Sequence, residues 1–302
     1  MREGKQRKKI HLGARFPDSD SRLEFESFQQ LAQTAERGLF DFILLPEGHP
    51  DTLSMLAALA AVTERLGLVG TVNTTVNEPF EVARQFATLD HLSDGRAAWN
   101  IATSHSDGYE RAAEFLTVAR EFWDSWDADA IRADESTGVY VDPDRVHDVS
   151  HRGAHFDVRG LTTLPAGPQG HPILLQAGDS ADGRDFGARH ADALFTPHAD
   201  LVSGQNYYAD VKARVVAIGR DPAQVKVFAV ATGGLGDTPE QVADELDLHV
   251  QSDACDGFIL TPDGLDDFVA KVVPLLQERS AFRSEYTGTT LRDHLGVTAG
   301  LR

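Results

Sequence analysis

Cysteine is nearly missing from this chain: Cys255 is the only one in 302 residues. A lone thiol forms no internal bridge, and a chain of this length buries enough core to need neither disulfides nor a structural metal. Beside the apolar run Gly257-Phe258-Ile259-Leu260, Cys255 reads as a small buried hydrophobe rather than a nucleophile. Scarce cysteine also suits a reducing compartment, so a cytoplasmic location is expected. Positive charge is short as well. With 47 acidic against 28 basic side chains the net charge is −19, a field that repels nucleic acid and anionic membranes and favours solubility. The exception is a basic N-terminal tail, residues 1–8, whose Arg2, Lys5, Arg7 and Lys8 run on into Lys9 and read as solvated. No apolar stretch approaches a membrane span, and Ile10-His11-Leu12 gives way to polar sequence too soon for a signal core.

Several chemical signatures are absent too. The chain has no His-Glu-x-x-His zinc helix, no Walker-type phosphate loop and no Gly-x-Ser-x-Gly elbow. His147, Asp148, His151 and His155 are close in sequence, but they lie in an irregular stretch without cysteine partners and read as surface or loop residues. No metal is expected. Thr232-Gly233-Gly234-Leu235-Gly236 lacks dinucleotide-binding spacing and reads as a flexible loop.

What is present is a long alternation. Strands are expected over 9–14, 40–45, 68–73, 97–103, 172–177, 193–196, 224–232 and 257–261, each a nearly continuous apolar run. Between them fall helical patterns over 25–37, 53–65, 80–92, 110–127, 181–190, 202–218, 239–250 and 265–277. In the first helix Phe28, Leu31, Ala32 and Ala35 share one face, and Gly38 ends it; Asp51 or Thr52 caps the second. Strands without polar alternation, set between amphipathic helices, imply a parallel sheet covered by helices. Eight such units favour a closed (β/α)8 TIM-type barrel over an open sheet. The stretch 130–168, rich in Asp, Gly, His and Pro, breaks the rhythm as an irregular excursion after the fourth βα unit. One domain is expected over 1–302, with a C-terminal tail from 279 to 302.

In such a barrel the active site lies where strands end and βα loops begin. Polar residues cluster there: Arg15 to Asp18, Glu47 to His49, Thr71 to Thr75, Asn100 to His105, Gln176 to Ser180, and His198. Gly178 and Ser180 open a helix, with Gly183 and Arg184 one turn on. Together they offer backbone donors, a hydroxyl and a positive charge to a phosphate, or else form an ordinary loop in which Ser180 is the N-cap. Asn100, Thr103 and Ser104 suit hydrogen bonds to a flavin edge or a substrate, and equally suit loop backbone. His105 is the candidate general acid or base, against a solvent-facing loop histidine.

Longer strings carry a resemblance. They are residues 31–41, 56–68 and 83–104, the last including Ser93-Asp94-Gly95-Arg96-Ala97-Ala98-Trp99-Asn100-Ile101-Ala102-Thr103-Ser104. Gln169-Gly170-His171-Pro172, Gln176-Ala177-Gly178-Asp179-Ser180 and Thr290-Leu291-Arg292-Asp293-His294-Leu295-Gly296 follow in order. This collinear set resembles the nitrilotriacetate and dibenzothiophene-sulfone monooxygenase branch of the luciferase-like flavin enzymes. The resemblance implies a TIM-type barrel that takes reduced FMN from a separate NAD(P)H:flavin reductase and uses O2 to oxygenate a small organic substrate. It also implies a homodimer or higher homo-oligomer. Carried over by position, Glu47, Thr74, Asn100, Thr103 and Ser104 border the flavin ring. Gly178, Ser180 and Arg184 hold its phosphate, Tyr109 matches a motif tyrosine that reaches the phosphate, and Gln176 is counted among the cofactor-binding residues.

The chain is a shortened member. Between Ser104 and Tyr109 it keeps only His105-Ser106-Asp107-Gly108, without the branch's Asn-Phe-Gly stretch and motif histidine. The loop after Phe16 is abbreviated, one short helix lies between Asp237 and Asp256, and Glu47 stands where Asp is usual. Loops at this face form pocket and lid, so their loss predicts an open site. The alternatives are a flavin-binding barrel with little oxygenase activity, or a flavin- or deazaflavin-dependent oxidoreductase of the same superfamily.

Overall fold

In the computed structural model the described residues are 7–16, 24–48, 50–104, 108–197, 200–231, 235–261 and 263–298. The first half alternates β1 (His11–Arg15), α1 (Phe25–Arg37), β2 (Phe42–Leu45), α2 (Thr52–Ala60), β3 (Gly67–Asn73), α3 (Pro79–Leu92), β4 (Ala97–Ala102) and α4 (Gly108–Trp123). Two antiparallel pairs follow, β5 (Ile131–Asp134) with β6 (Val139–Val141), and β7 (Val149–Arg152) with β8 (Asp157–Gly160). The alternation then resumes with β9 (Ile173–Ala177), α5 (Ala181–His190), β10 (Ala193–Thr196), α6 (Leu201–Ala217), β11 (Lys226–Ala231), α7 (Pro239–Gln251) and β12 (Gly257–Leu260). The eight strands outside the excursion close into a barrel in the order β1-β12-β11-β10-β9-β4-β3-β2, every neighbouring pair parallel. This is the TIM-type architecture that the apolar alternation predicts.

Strand parity sorts the apolar residues into two cores. Phe42, Leu44, Val69, Ala98, Leu175 and Phe228 face inward and fill the barrel, while Leu12, Ile43, Leu45, Leu68 and Trp99 face outward beneath the helices. Successive side chains leave a strand on opposite faces, so burial on both faces requires the unbroken apolar runs seen in the sequence. Caps set the helix starts: Asp51 accepts from Ser54 N at 2.8 Å, and Thr238 with Gln241 forms a capping box on α7.

Four expectations need correction. The helix predicted over 53–65 ends at Ala60. The helix predicted over 110–127 runs from Gly108 to Trp123. The closing helix over 265–277 is broken into α8 (Leu265–Asp267), a π-helical turn (Phe268–Val272) and α9 (Val273–Glu278). Pro274 explains the break, since it has no N–H for the carbonyl one turn back. The expected tail packs on the barrel over its described residues, 280–298: α10 (Leu291–Leu295) inserts Leu291 and Leu295, followed by Val297, into the barrel core. The excursion is tied down by α4, where the Glu114 carboxylate accepts the backbone N–H groups of Ala154, His155 and Phe156.

Candidate active site

The C-terminal ends of β3 and β4 carry a polar cluster at the barrel mouth. Asn100 shares the inward parity of Ala98 and is 6% exposed. Its Nδ2 donates to Thr71 Oγ1 on the adjacent strand at 3.0 Å, whereas its Oδ1 is buried with no hydrogen-bond partner among the described residues. Leaving a buried carbonyl oxygen unpaired costs about 1–3 kcal/mol, so an acceptor held open this way is suited to a ligand N–H. Nearer the surface, Asn73 Nδ2 donates to Ser104 Oγ at 2.7 Å, and Ser104 N donates to Thr75 Oγ1 at 3.2 Å. Thr74 is spent on structure: its N–H and hydroxyl both donate to the Ala102 carbonyl, at 3.0 and 3.2 Å, and Arg111 donates to its carbonyl. Thr103 packs against Gly108, where α4 begins.

The second cluster lies at the start of α5, after β9. Ser180 Oγ accepts from Gly183 N at 3.0 Å and so is the N-cap, with its own O–H still able to donate. The amides of Ala181 and Asp182 have no acceptor within the helix, and the helix dipole favours an anion there. Two glycines make the turn tight. A Cβ on Gly178 would lie 2.4 Å from Gln176 Oε1 and 2.8 Å from the Gly183 backbone, and one on Gly183 would lie 2.8 Å from the Tyr109 hydroxyl. Gln176 Oε1 is the second buried carbonyl oxygen without a partner among the described residues; its Nε2 donates to the Ala177 carbonyl at 2.7 Å. Tyr207 donates to the Gly178 carbonyl at 2.7 Å, and burial raises its hydroxyl pKa, which keeps it a donor.

Tyr109 joins the two clusters. It sits at the start of α4, beyond β4, yet its ring packs on Phe186 of α5 with centroids 5.3 Å apart. Arg184 lies beside the turn but faces away from the open amides. Its Nε and Nη2 donate to the Asp179 carbonyl and its Nη1 reaches Asp210 at 2.9 Å. Burial works against ionisation of Asp210, yet hydrogen bonds from Arg184 and Arg214 hold its carboxyl below the ordinary range. Glu47 is exposed at the end of β2, outside both clusters. His105, the candidate acid or base, lies outside the described residues, as do Asp18, His49, His198 and Thr232 to Gly234. Sequence reasoning passed over Tyr207 and Asp210, which reach the turn from α6, and nothing local to α6 marks them.

A family model described as luciferase-like monooxygenase matches residues 9–285. The chain belongs to that family. It is 32% identical to the N-acetyl-S-(2-succino)cysteine monooxygenase of Bacillus subtilis strain 168, over 94% of this chain and 92% of the relative. It is 34% identical to a dibenzothiophene-sulfone monooxygenase of Rhodococcus erythropolis, over 92% of this chain and 91% of that one. Among solved structures, a riboflavin lyase with modified FMN and riboflavin superposes with a TM-score of 0.88 at 25% identity, covering 96% of each chain. These relatives bear out the resemblance, and they make flavin use the shared chemistry of the group. The first alignment runs over 408 positions while using 94% of a 302-residue chain, so more than a hundred of its positions have no residue here. No helix among the described residues is long and apolar enough to cross a membrane.

Proposed function

We propose that this luciferase-like monooxygenase binds reduced FMN at the mouth of its barrel and uses O2 to oxygenate a small organic substrate. The observation that carries the reading is the unpaired Asn100 Oδ1, buried on the strand that pairs with β9, the strand that leads into the glycine-lined start of α5. The residues present fit the cofactor. Asn100 Oδ1 supplies an acceptor for a ring N–H, with Ser104 and Thr103 beside it. The Ser180 hydroxyl and the first amides of α5 supply donors for a phosphate, with Gly178 and Gly183 keeping the approach clear and Tyr109 at its edge. Reduced flavin, when bound, supplies two electrons and the position at which O2 reacts.

The chain's own contribution is binding, orientation and exclusion of water. Asn100 is held by Thr71, so its acceptor is fixed before a ring arrives. The apolar barrel core beneath it admits no water from below. Glu47, His105 and Arg184 belong to the same reading, Glu47 at the ring's outer edge, His105 as proton donor or acceptor to substrate, and Arg184 as support for the phosphate turn. An NAD(P)H-driven reductase supplies the flavin in the cytoplasm, and the working form is a homodimer or larger homo-oligomer.

Oxygen uptake tests the proposal. With FMN, NADH, a flavin reductase and a panel of small thioethers, sulfones and aminopolycarboxylates, the full chain should consume O2 and convert a substrate either to a product one oxygen atom heavier or, where the hydroxylated carbon bears nitrogen or sulfur, to the cleaved amine or sulfur fragment and a carbonyl compound. FMN bound without any oxygenated product would instead favour the flavin-binding barrel with little catalysis, which the missing loop positions make the second reading. Absence of FMN binding in either redox state would end both.

A further inference from the structure

The chain contains six lysines in all, and four of them, Lys8, Lys9, Lys212 and Lys226, line a single cavity of about 490 Å³. The cavity is at the N-terminal end of the strands, opposite the mouth. Lys8 and Lys9 precede β1, Lys226 opens β11, and Asp256 precedes β12. Tyr208 and Lys212 of α6 form one wall, and His11, Pro222 and Ala223 complete it. Four lysines lining one cavity in a protein of net charge −19 run against the composition, and their like charges repel one another.

The carboxylates nearby do not neutralise it. Asp256, the one acid in the lining, already accepts from Val227 N at 2.9 Å, Tyr208 Oη at 3.0 Å and Lys212 Nζ at 3.2 Å. Asp253 pairs with Lys8. Tyr208 lies between two of the cations, Lys8 and Lys212, at 4.9 and 4.8 Å from its ring centroid. Lys226 bonds the Ala223 carbonyl at 3.1 Å and Lys9 the Ser280 carbonyl at 2.8 Å. Each ammonium has three donors, so both keep N–H groups for a further acceptor. Burial pushes the Lys212 ammonium below its ordinary pKa, with Asp256 opposing the shift and Lys226 and Lys8 adding to it.

We infer that this cavity is an anion site, separate from the flavin site, for a phosphate-type dianion held by Lys9, Lys226 and Lys8, with Lys212 adding charge only, since its three donors go to Asp256 and to the Pro222 and Val225 carbonyls. The dianion is either free phosphate or the phosphate group of a small metabolite whose body lies along Tyr208 and Pro222. Two negative charges balance the four lysines against Asp253 and Asp256, and tetrahedral oxygens accept from several ammonium groups at once.

Calorimetric titration of the full chain with orthophosphate and, separately, glycerol 3-phosphate tests this at constant ionic strength set by chloride. FMN is kept saturating so that the α5 turn is filled. The double variant Lys9→Met/Lys226→Met should bind the preferred anion about tenfold more weakly or worse, the loss of charge-assisted contacts, with FMN affinity unchanged. Ser180→Ala should leave phosphate binding intact. Tighter binding of glycerol 3-phosphate assigns the site to a metabolite, and tighter binding of orthophosphate assigns it to the free ion. Anion binding that survives in the double variant, that disappears in Ser180→Ala, or that fails to exceed chloride would overturn the inference. Both lysines reach solvent, so the variant should fold; a retained melting temperature checks that.

Discussion

Arg184 donates twice to the carbonyl oxygen of Asp179, from Nε at 3.0 Å and from Nη2 at 2.9 Å. A guanidinium committed in this way shapes the turn that begins α5, and its third contact, to Asp210, holds it there. Arginine is chosen for such a task because its donors form a planar fork. The sequence allowed a different reading, in which the same charge meets the phosphate directly.

The two roles give opposite signs in one variant. If Arg184 supports the turn, Asp210→Asn loosens it and weakens FMN binding about two- to threefold, with Arg184→Gln weakening it about tenfold. If the guanidinium is a direct phosphate ligand, Asp210→Asn frees it and tightens FMN binding. Fluorescence-quenching titrations of FMN distinguish these, and the turn-supporting role is the expected result.

Gly183→Ala tests the approach to the helix start. The added methyl would lie 2.8 Å from the Tyr109 hydroxyl and 3.1 Å from both Gly178 Cα and Ser180 Oγ. Tyr109 can swing aside, but Gly178 is backbone and cannot. The fold should lose about 1–3 kcal/mol from overpacking, read from urea unfolding, and FMN affinity should fall by about tenfold or more. Unchanged affinity would place the phosphate elsewhere.

Asn100→Leu separates a binding residue from a core residue. A core amide with all its bonds made destabilises the fold when removed, but Asn100 leaves Oδ1 unpaired at 6% exposure. Removing an unpaired buried acceptor favours the free protein, which offsets the loss of the single Nδ2 bond to Thr71, about 0.5–1.5 kcal/mol. The flavin-free variant should therefore melt no more than a few degrees below the wild type, and FMN binding should weaken by about tenfold. A large drop in melting temperature with intact FMN binding would reverse the assignment.

The barrel was legible because its signals are local and repeated. α1, α5 and β10 match their expected bounds, since each pairs an apolar pattern with a clear stop such as Gly38. The plug formed by α10 was not legible: five residues are too few for a periodic pattern, and its identity as core depends on Leu291 and Leu295 meeting the barrel from below. The site divides along the same line. Gly178 and Ser180 announce a helix start by themselves, whereas Tyr207 and Asp210 reach that turn from a helix that begins twenty residues later, and only folding brings them there. The lysine cavity is the extreme case, with two residues near the N-terminus and two beyond position 210.

Acid sensitivity should come in two windows. Burial lowers the His294 imidazole from 6.5 to about 4, so the unfolded chain takes up a proton that the folded chain refuses, and stability falls as pH drops from about 6.5 to about 4. Burial would raise the Asp41 carboxyl, but Arg283 and then His11 overcome it and hold it at about 2. That contribution is present above the unfolded value near 3.8 and is lost only as pH falls towards 2. The windows scarcely overlap, so the histidine and the carboxylate contributions can be separated. Between pH 7 and pH 4.5 the wild type should lose about 2 kcal/mol through His294, and His294→Leu, whose side chain carries no proton, should be spared that loss in urea melts at the two pH values. Asp41→Asn should leave this upper window unchanged while costing about 3–5 kcal/mol at pH 7, because Arg283 is then buried without its carboxylate. Equal losses in wild type and His294→Leu would mean that another group, with His190 the first candidate since burial also lowers it to about 4, takes up the proton in that range.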